Sequence, residues 1–200
     1  SSDLLSLALA VTRVLINEVP IDEALLSSTF NLVSVITTTG FVSEDFTLWS
    51  NAAIGIFFLA MFIGGCAGST AGGIKVNRII ILYALMRANF ARVIRPHSVQ
   101  RLKYGHDDIS IETLQSVTIF IFLFFLSLLL GTTALSICGL ELLTALSASL
   151  TAVGNVGPGF GQVVGPAGNF SSLSAPALWI LSFLMLIGRL EIVTVLVILS

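Results

Sequence analysis

Charge is scarce in this chain of 200 residues. Asp, Glu, Lys and Arg make up 10% of it, where soluble domains carry roughly 25%. Hydrophobic residues make up 56% and the mean hydropathy is +1.02, which excludes an ordinary soluble domain and places the chain in a bilayer. Cysteine is equally sparse. Cys66 and Cys138 lie in or beside apolar segments with no CxxC pair, so they read as buried free thiols rather than disulfide or zinc ligands. His97 and His106 stand in a polar linker without an HExxH or Cys/His cluster, and a metal centre has no support. No nucleophile stands beside a base, which argues against intramembrane hydrolysis and against an enzyme altogether. The amino-terminal stretch Ser1–Ile16 carries Asp3 early and no cleavage pattern, unlike a signal peptide.

The basic residues that exist are clustered. Seven fall between Lys75 and Lys103. By the positive-inside rule this linker is cytoplasmic, and the hydrophobic segments that flank it argue against nucleic acid as a partner.

The apolar runs predict an all-α integral membrane protein. Leu4–Ile16 reads as part of a helix whose beginning is missing, because a hydrocarbon core of about 30 Å needs about 20 helical residues. A polar break with Pro20 precedes a short apolar helix, Ala24–Ile36, long enough to enter the membrane but not to leave it. Leu48–Ile63 begins a second span that runs into the glycine-dense segment 64–73, and Ile79–Met86 continues apolar before the basic linker 87–103. Leu114–Ile137 is a full span, Leu140–Val153 a second short helix, Gly159–Ser174 a glycine-rich turn, and Ala175–Leu199 a last span. The order span, short helix, glycine loop, span thus occurs twice, which suggests an internal repeat. The corresponding units are residues 1–78 and 113–200, joined by a helical extension and linker at 79–112. Thr38-Thr39-Gly40-Phe41 aligns with Asn155-Val156-Gly157-Pro158, and Met61-Phe62-Ile63-Gly64-Gly65 with Met185-Leu186-Ile187-Gly188-Arg189.

Irregular backbone at membrane depth is tolerated where protein or a water-filled cavity surrounds it. The two glycine loops therefore suit re-entrant pore loops, whose carbonyls replace the water around a hard monovalent cation. The candidate ion ligands are Thr38, Thr39, Gly40, Phe41, Asn155, Val156 and Gly157, with Thr37–Thr39 hydroxyls coordinating or bracing; a plain turn between buried helices is the competing reading. The preceding short helices aim their partially negative C-termini at the loops, which favours a cation. Glu18, Asp22, Glu23, Glu44, Asp45 and Glu141 fall on the outer side, either to concentrate cations or as solvated cap residues.

The segment Gly64-Gly65-Cys66-Ala67-Gly68-Ser69-Thr70-Ala71-Gly72-Gly73 has GxxxG spacing, which in a helix means close packing. Its glycine density and Ser69-Thr70 favour a mid-span break lining the cavity. Ile74 precedes Lys75 and Val76 follows it, so the ending of a phosphate loop is absent. Arg189 lies about 21 Å of helix rise beyond Ala175 and opposite Gly65 in the repeat alignment. An intramembrane arginine is a functional hypothesis by default. With Gly64, Gly65, Gly68, Ser69, Thr70, Gly72 and Gly73 it reads as a gate below the filter, or as an anchor for neighbouring carbonyls. Glu191, two residues on, lies on another helix face.

At these residues the chain resembles the TrkH branch of the Trk/Ktr/HKT potassium-transporter superfamily. The motifs are Thr37–Phe41, Gly64–Lys75 as GGCAGSTAGGIK, Asn155–Gly161 as NVGPGFG, and Gly188–Glu191 as GRLE. The resemblance implies four span–pore-helix–span repeats around one pore, of which this sequence looks like the third and fourth, with the first two missing. It implies a potassium filter at Thr38–Phe41 and Asn155–Pro158, an intramembrane gating loop at Gly64–Gly73 and a pore-blocking Arg189. Potassium is then the transported substrate, with no cofactor. It further implies a bacterial inner membrane location, a homodimer, and a TrkA-type cytosolic nucleotide-binding subunit, for which the linker is a candidate contact. Sodium or mixed permeation in the same fold, and a non-conducting scaffold that docks a cytosolic partner, are the alternatives.

Overall fold

The computed structural model describes residues 2–66, 68–94, 103–104, 107–161 and 163–189, whose regular structure is helical apart from one pair of short strands. The helices are α1 (Ser2–Asn17), α2 (Ile21–Ile36), α3 (Asn51–Ile63), α4 (Val76–Ile94), α5 (Ile111–Ile137), α6 (Leu142–Gly154) and α7 (Ala175–Arg189). Among them α5, with 27 residues and a hydropathy of 2.3, is long and apolar enough to cross a membrane by itself. The expected continuation of the last span through Leu199, together with Glu191, lies outside the described residues, as do His97, His106 and residues 95–102 of the basic linker.

Local chemistry sets the boundaries. Pro20 precedes α2 and Asp22 and Glu23 occupy its first turn, where a rigid φ and negative charge suit a helix start. The Ser50 hydroxyl accepts from Ala53 N at 3.0 Å and starts α3. This shortens the expected Leu48–Ile63 helix, because Phe46–Leu48 form a 3-10 turn capped by Asp45. Ser110 caps α5 through Thr113 N at 3.1 Å, so the helix starts at Ile111, three residues before the expected Leu114. In the other direction α4 outruns its apolar core and carries Arg87 within a helix ending at Ile94, since Ala, Met and Arg are all good helix formers. The linker also holds an unexpected pair of two-residue strands, Lys103–Tyr104 and Asp107–Asp108, antiparallel with Lys103 opposite Asp108.

The three-residue break after α1 folds α2 back along it, and α5 and α6 form a second such hairpin. Helix α6 occupies the centre, contacting α3, α5 and α7, and residues Ser147–Gly154 are all buried. Its small polar side chains serve as interhelical glue. Ser149 Oγ donates to Leu128 O of α5 at 3.0 Å, and a Cβ at Gly131 would meet Leu184 of α7 at 2.6 Å. The hairpins are joined by aromatic packing. Phe46 stacks on Phe57 with ring centroids 4.2 Å apart and meets Phe160 edge-on at 6.1 Å.

Candidate functional site

Both short helices end in loops with the same backbone ladder. After α2, Thr38 N bonds Val35 O at 3.1 Å and Thr39 N bonds Ser34 O at 2.9 Å. After α6, Asn155 N bonds Ala152 O at 3.1 Å and Val156 N bonds Thr151 O at 3.0 Å. The next residue in each case is a glycine aimed at the position six earlier: Gly40 N at Ser34 O, 3.5 Å, and Gly157 N at Thr151 Oγ1, 2.9 Å. The dihedrals match too. Thr38 and Asn155 are left-handed at φ 54° and 53°, and Gly40 and Gly157 stand at 81° and 110°. Asparagine tolerates this conformation; a β-branched threonine there is an outlier of the kind that clusters at functional sites.

The loops lie side by side. A Cβ on Gly157 would sit 3.7 Å from Gly40 Cα, and a Cβ on Gly40 would come within 2.5 Å of Val156 O. Gly40 is thus required twice, by its dihedral and by its neighbour. Thr37 and Thr39 share a hydroxyl hydrogen bond of 2.8 Å while Thr37 Oγ1 also donates to Val33 O, so these side chains brace the loop. Among the described residues, no carbonyl of Thr38–Phe41 or Asn155–Pro158 accepts a hydrogen bond. Two short rows of oxygens stand unspent. The residues that carry them range from buried to exposed, and free carbonyls are what cation coordination uses.

Among the described residues between Ile63 and Val76 none is helical, so the GxxxG spacing there does not form a helix–helix contact. The segment folds on itself. Gly64 and Gly73 pack backbone to backbone, with a Cβ on Gly73 reaching Gly64 Cα at 3.1 Å, while Ile74 N bonds Phe62 O at 3.0 Å and Val76 N bonds Gly65 O at 3.2 Å. Its tip is a turn in which Ser69 N and Oγ both donate to Cys66 O, beyond Gly68 at φ 77°. Cys66 and Cys138 are free thiols, but neither is buried as expected: Cys138 is half-buried, and Cys66 is exposed because the broken helix turns it toward an open cavity of about 550 Å³.

This segment touches both loops and α7. Gly72 N donates to Thr38 Oγ1 at 3.2 Å, and a Cβ at Gly72 would collide with Gly154 O. Arg189 Nη1 donates to Thr70 O at 2.6 Å, so the arginine is tied to the glycine segment. Gly188 packs on Val153 O, and Asn155 Nδ2 donates to Met185 O at 3.2 Å. Ser69–Gly73, Gly188 and Arg189 line a second cavity of about 200 Å³ with Lys75, Arg78 and Phe120.

Two groups are not evident from the sequence. Asn31, 1% exposed, receives Ser43 N at 3.1 Å and donates to Ser43 Oγ at 2.8 Å, which ties the return limb of the first loop to α2. Arg13 is 5% exposed and bonds Glu44 at 2.8 Å. A lone arginine in an apolar run is the signal that could have found it. Glu44 is consequently committed to an ion pair, and Asp45 caps the turn that follows it. Of the acidic residues expected near the mouth, these two serve the fold locally.

A family model described as TrkH, cation transport protein, matches residues 2–200. The chain belongs to the TrkH family. As such it is a membrane protein. Its relatives include the Trk system potassium uptake protein TrkI of Halomonas elongata, 43% identical over 98% of this chain and 40% of that protein. The Trk system potassium uptake protein TrkH of Escherichia coli is 35% identical over 84% of this chain and 34% of that protein. The crystal structure of the potassium transporter TrkH from Vibrio parahaemolyticus superposes with a TM-score of 0.90 at 31% identity, covering 100% of this chain and 42% of that one. This chain thus spans between about a third and two fifths of the length of the relatives it matches.

Proposed function

We propose that this chain supplies two walls of a gated, potassium-selective pore for ion uptake across the cell membrane, with the other walls contributed by the remainder of a longer protein. The observation that carries the reading is the pair of loops Thr38–Phe41 and Asn155–Pro158, alike in backbone ladder and dihedrals, adjacent, and holding unspent carbonyls. The names and likeness of the relatives support potassium as the ion. In this reading α2 and α6 are pore helices whose C-terminal ends face the cation, in two repeats at 1–78 and 113–200. Thr38, Thr39, Gly40, Phe41, Asn155, Val156 and Gly157 form the filter. The open side of α2, a groove of about 710 Å³ lined by Leu26, Phe30, Val33, Thr39 and Phe41 among others, faces the rest of the pore.

Below the filter, Gly64, Gly65, Gly68, Ser69, Thr70, Gly72, Gly73 and Arg189 act as the gate. A guanidinium in a low-dielectric conduit repels a cation steeply, and the Arg189–Thr70 bond holds the loop in the path. The site is a bacterial inner membrane with the basic linker in the cytoplasm, in a homodimer regulated by a TrkA-type nucleotide-binding partner. The test is Gly157→Ser in the full-length parent, reconstituted in liposomes. A Cβ there has room but the dihedral of 110° opposes any side chain, so potassium-over-sodium selectivity falls. Unchanged selectivity with normal insertion removes the filter assignment.

A further inference from the structure

The first loop leaves the membrane interior along a return limb, residues 41–45, that belongs to no helix. Among the described residues, side chains from the helices hold this limb at two points. One is Asn31 on Ser43. The other is Arg13, on the far helix α1, which grips three elements at once. Its Nη1 donates to Ser27 Oγ of α2, its Nη2 pairs with Glu44 Oε2 at 2.8 Å, and its guanidinium lies 4.3 Å from the centroid of the Trp49 ring. Trp49 is itself buried at 5% exposure. Ser27 in turn donates to Glu23 O at 2.7 Å.

A charge held in the apolar interior needs a reason, because an unpaired arginine at membrane depth is costly and a buried pair is not a dependable source of stability. The planar fork of arginine suits the geometry found here: two diverging donors and a flat face against an indole. A lysine supplies none of that arrangement. Glu44 stands four residues after Gly40, so the fork sets where the limb leaves the loop. The pair is also electrically neutral, and leaves no net repulsion beside a cation path.

We propose that Arg13 is a positioning residue for the filter, clamping the return limb through Glu44 to both α1 and α2 so that the Gly40 turn keeps its register against Val156 and Gly157. This rests on the filter reading above. The clamp acts through Glu44 and touches no ion.

The experiment compares Arg13→Gln, Glu44→Ala, the double variant and Gly157→Ser in the full-length parent, reading potassium-to-sodium permeability per inserted protein in liposomes. Each single clamp variant is expected to lower the ratio by roughly fivefold, equivalent to about 1 kcal/mol. The double variant is expected to do no worse than the singles, since both break the Arg13–Glu44 pair. A purely structural arginine would change insertion and melting but leave the ratio of inserted protein intact. That result in Glu44→Ala, which removes the acceptor and whose side chain is 36% exposed, overturns the clamp even where Arg13→Gln fails to insert. If Gly157→Ser moves the ratio and Glu44→Ala does not, the clamp alone fails. If neither moves it, the filter reading fails and the clamp with it.

Discussion

Gly40→Ala is the sharpest single test of the paired loops, because two independent costs meet at one methyl group. At φ 81° an L side chain crowds its own backbone, costing roughly 1–2 kcal/mol. The new Cβ would also lie 2.5 Å from Val156 O, closer than real Cβ atoms approach an oxygen, so one loop must retreat by about half an ångström. With close packing on both sides the retreat adds roughly 1–3 kcal/mol. The sum is about 2–5 kcal/mol, concentrated on one carbonyl. Discrimination between two monovalent cations is a difference of affinities worth tenfold per about 1.4 kcal/mol. A carbonyl moved that far is therefore expected to cut potassium-over-sodium selectivity by about tenfold or more. The assay is paired potassium and sodium flux into liposomes carrying the full-length parent, alongside its melting temperature in detergent. Gly55→Ala is the control: it lies in α3, where an added methyl would meet nothing within 4 Å, and is expected to be neutral or to stabilise by up to about 1 kcal/mol. Selectivity and melting of Gly40→Ala equal to those of Gly55→Ala would refute the reasoning.

Arg189→Ala removes the donor to Thr70 O and is expected to raise flux through the full-length parent; reduced flux with normal expression would make the arginine structural. Gly72→Ala places a methyl against Gly154 O and should push the glycine segment away from α6, seen as increased ion leak in liposomes. Thr38→Val deletes the acceptor for Gly72 N while keeping the shape, and should lower stability by about 0.5–1.5 kcal/mol in thermal melts. Gly131→Val drives a side chain into Ser149 and Leu184, with an expected loss of about 1–3 kcal/mol and no change in selectivity per inserted protein.

The helical content is legible in the sequence because apolar runs and polar breaks report it directly. Boundaries drift where side chains overrule hydropathy. Ser50 and Asp45 cut α3 short at its start, and helix-forming residues carry α4 into the basic stretch. The correspondence of Thr38 with Asn155 and of Gly40 with Gly157 can be read from local order; the first pair shares a left-handed φ, and Gly40 lies against Gly157. What contacts Arg189 cannot be read that way. Its partner Thr70 is 119 positions away, on a segment whose path depends on backbone packing rather than on side-chain pattern. Arg13 is hidden for the same reason. Its partner Glu44 is 31 residues distant, and acidic residues near a loop look like solvated caps when only the sequence is in view.

Three glycines of the unusual segments share one physical cause. Gly72 lies against Gly154 O, Gly188 against Val153 O, and Gly64 against Gly72 O. Each removes a side chain so that one backbone can sit directly on another's carbonyl. In a membrane, where lipid offers apolar side chains no reason to associate, such close approach is the chief source of cohesion. It also leaves little slack. Arg189 holds Thr70, and two residues on, Gly72 meets both Thr38 and the end of α6. A displacement of the glycine segment must then be felt at Thr38, the residue already held in a left-handed conformation. Coupling needs a contiguous physical connection with alternative arrangements. This connection runs from α7 to the loop after α2 through two hydrogen bonds and the backbone of residues 70–72.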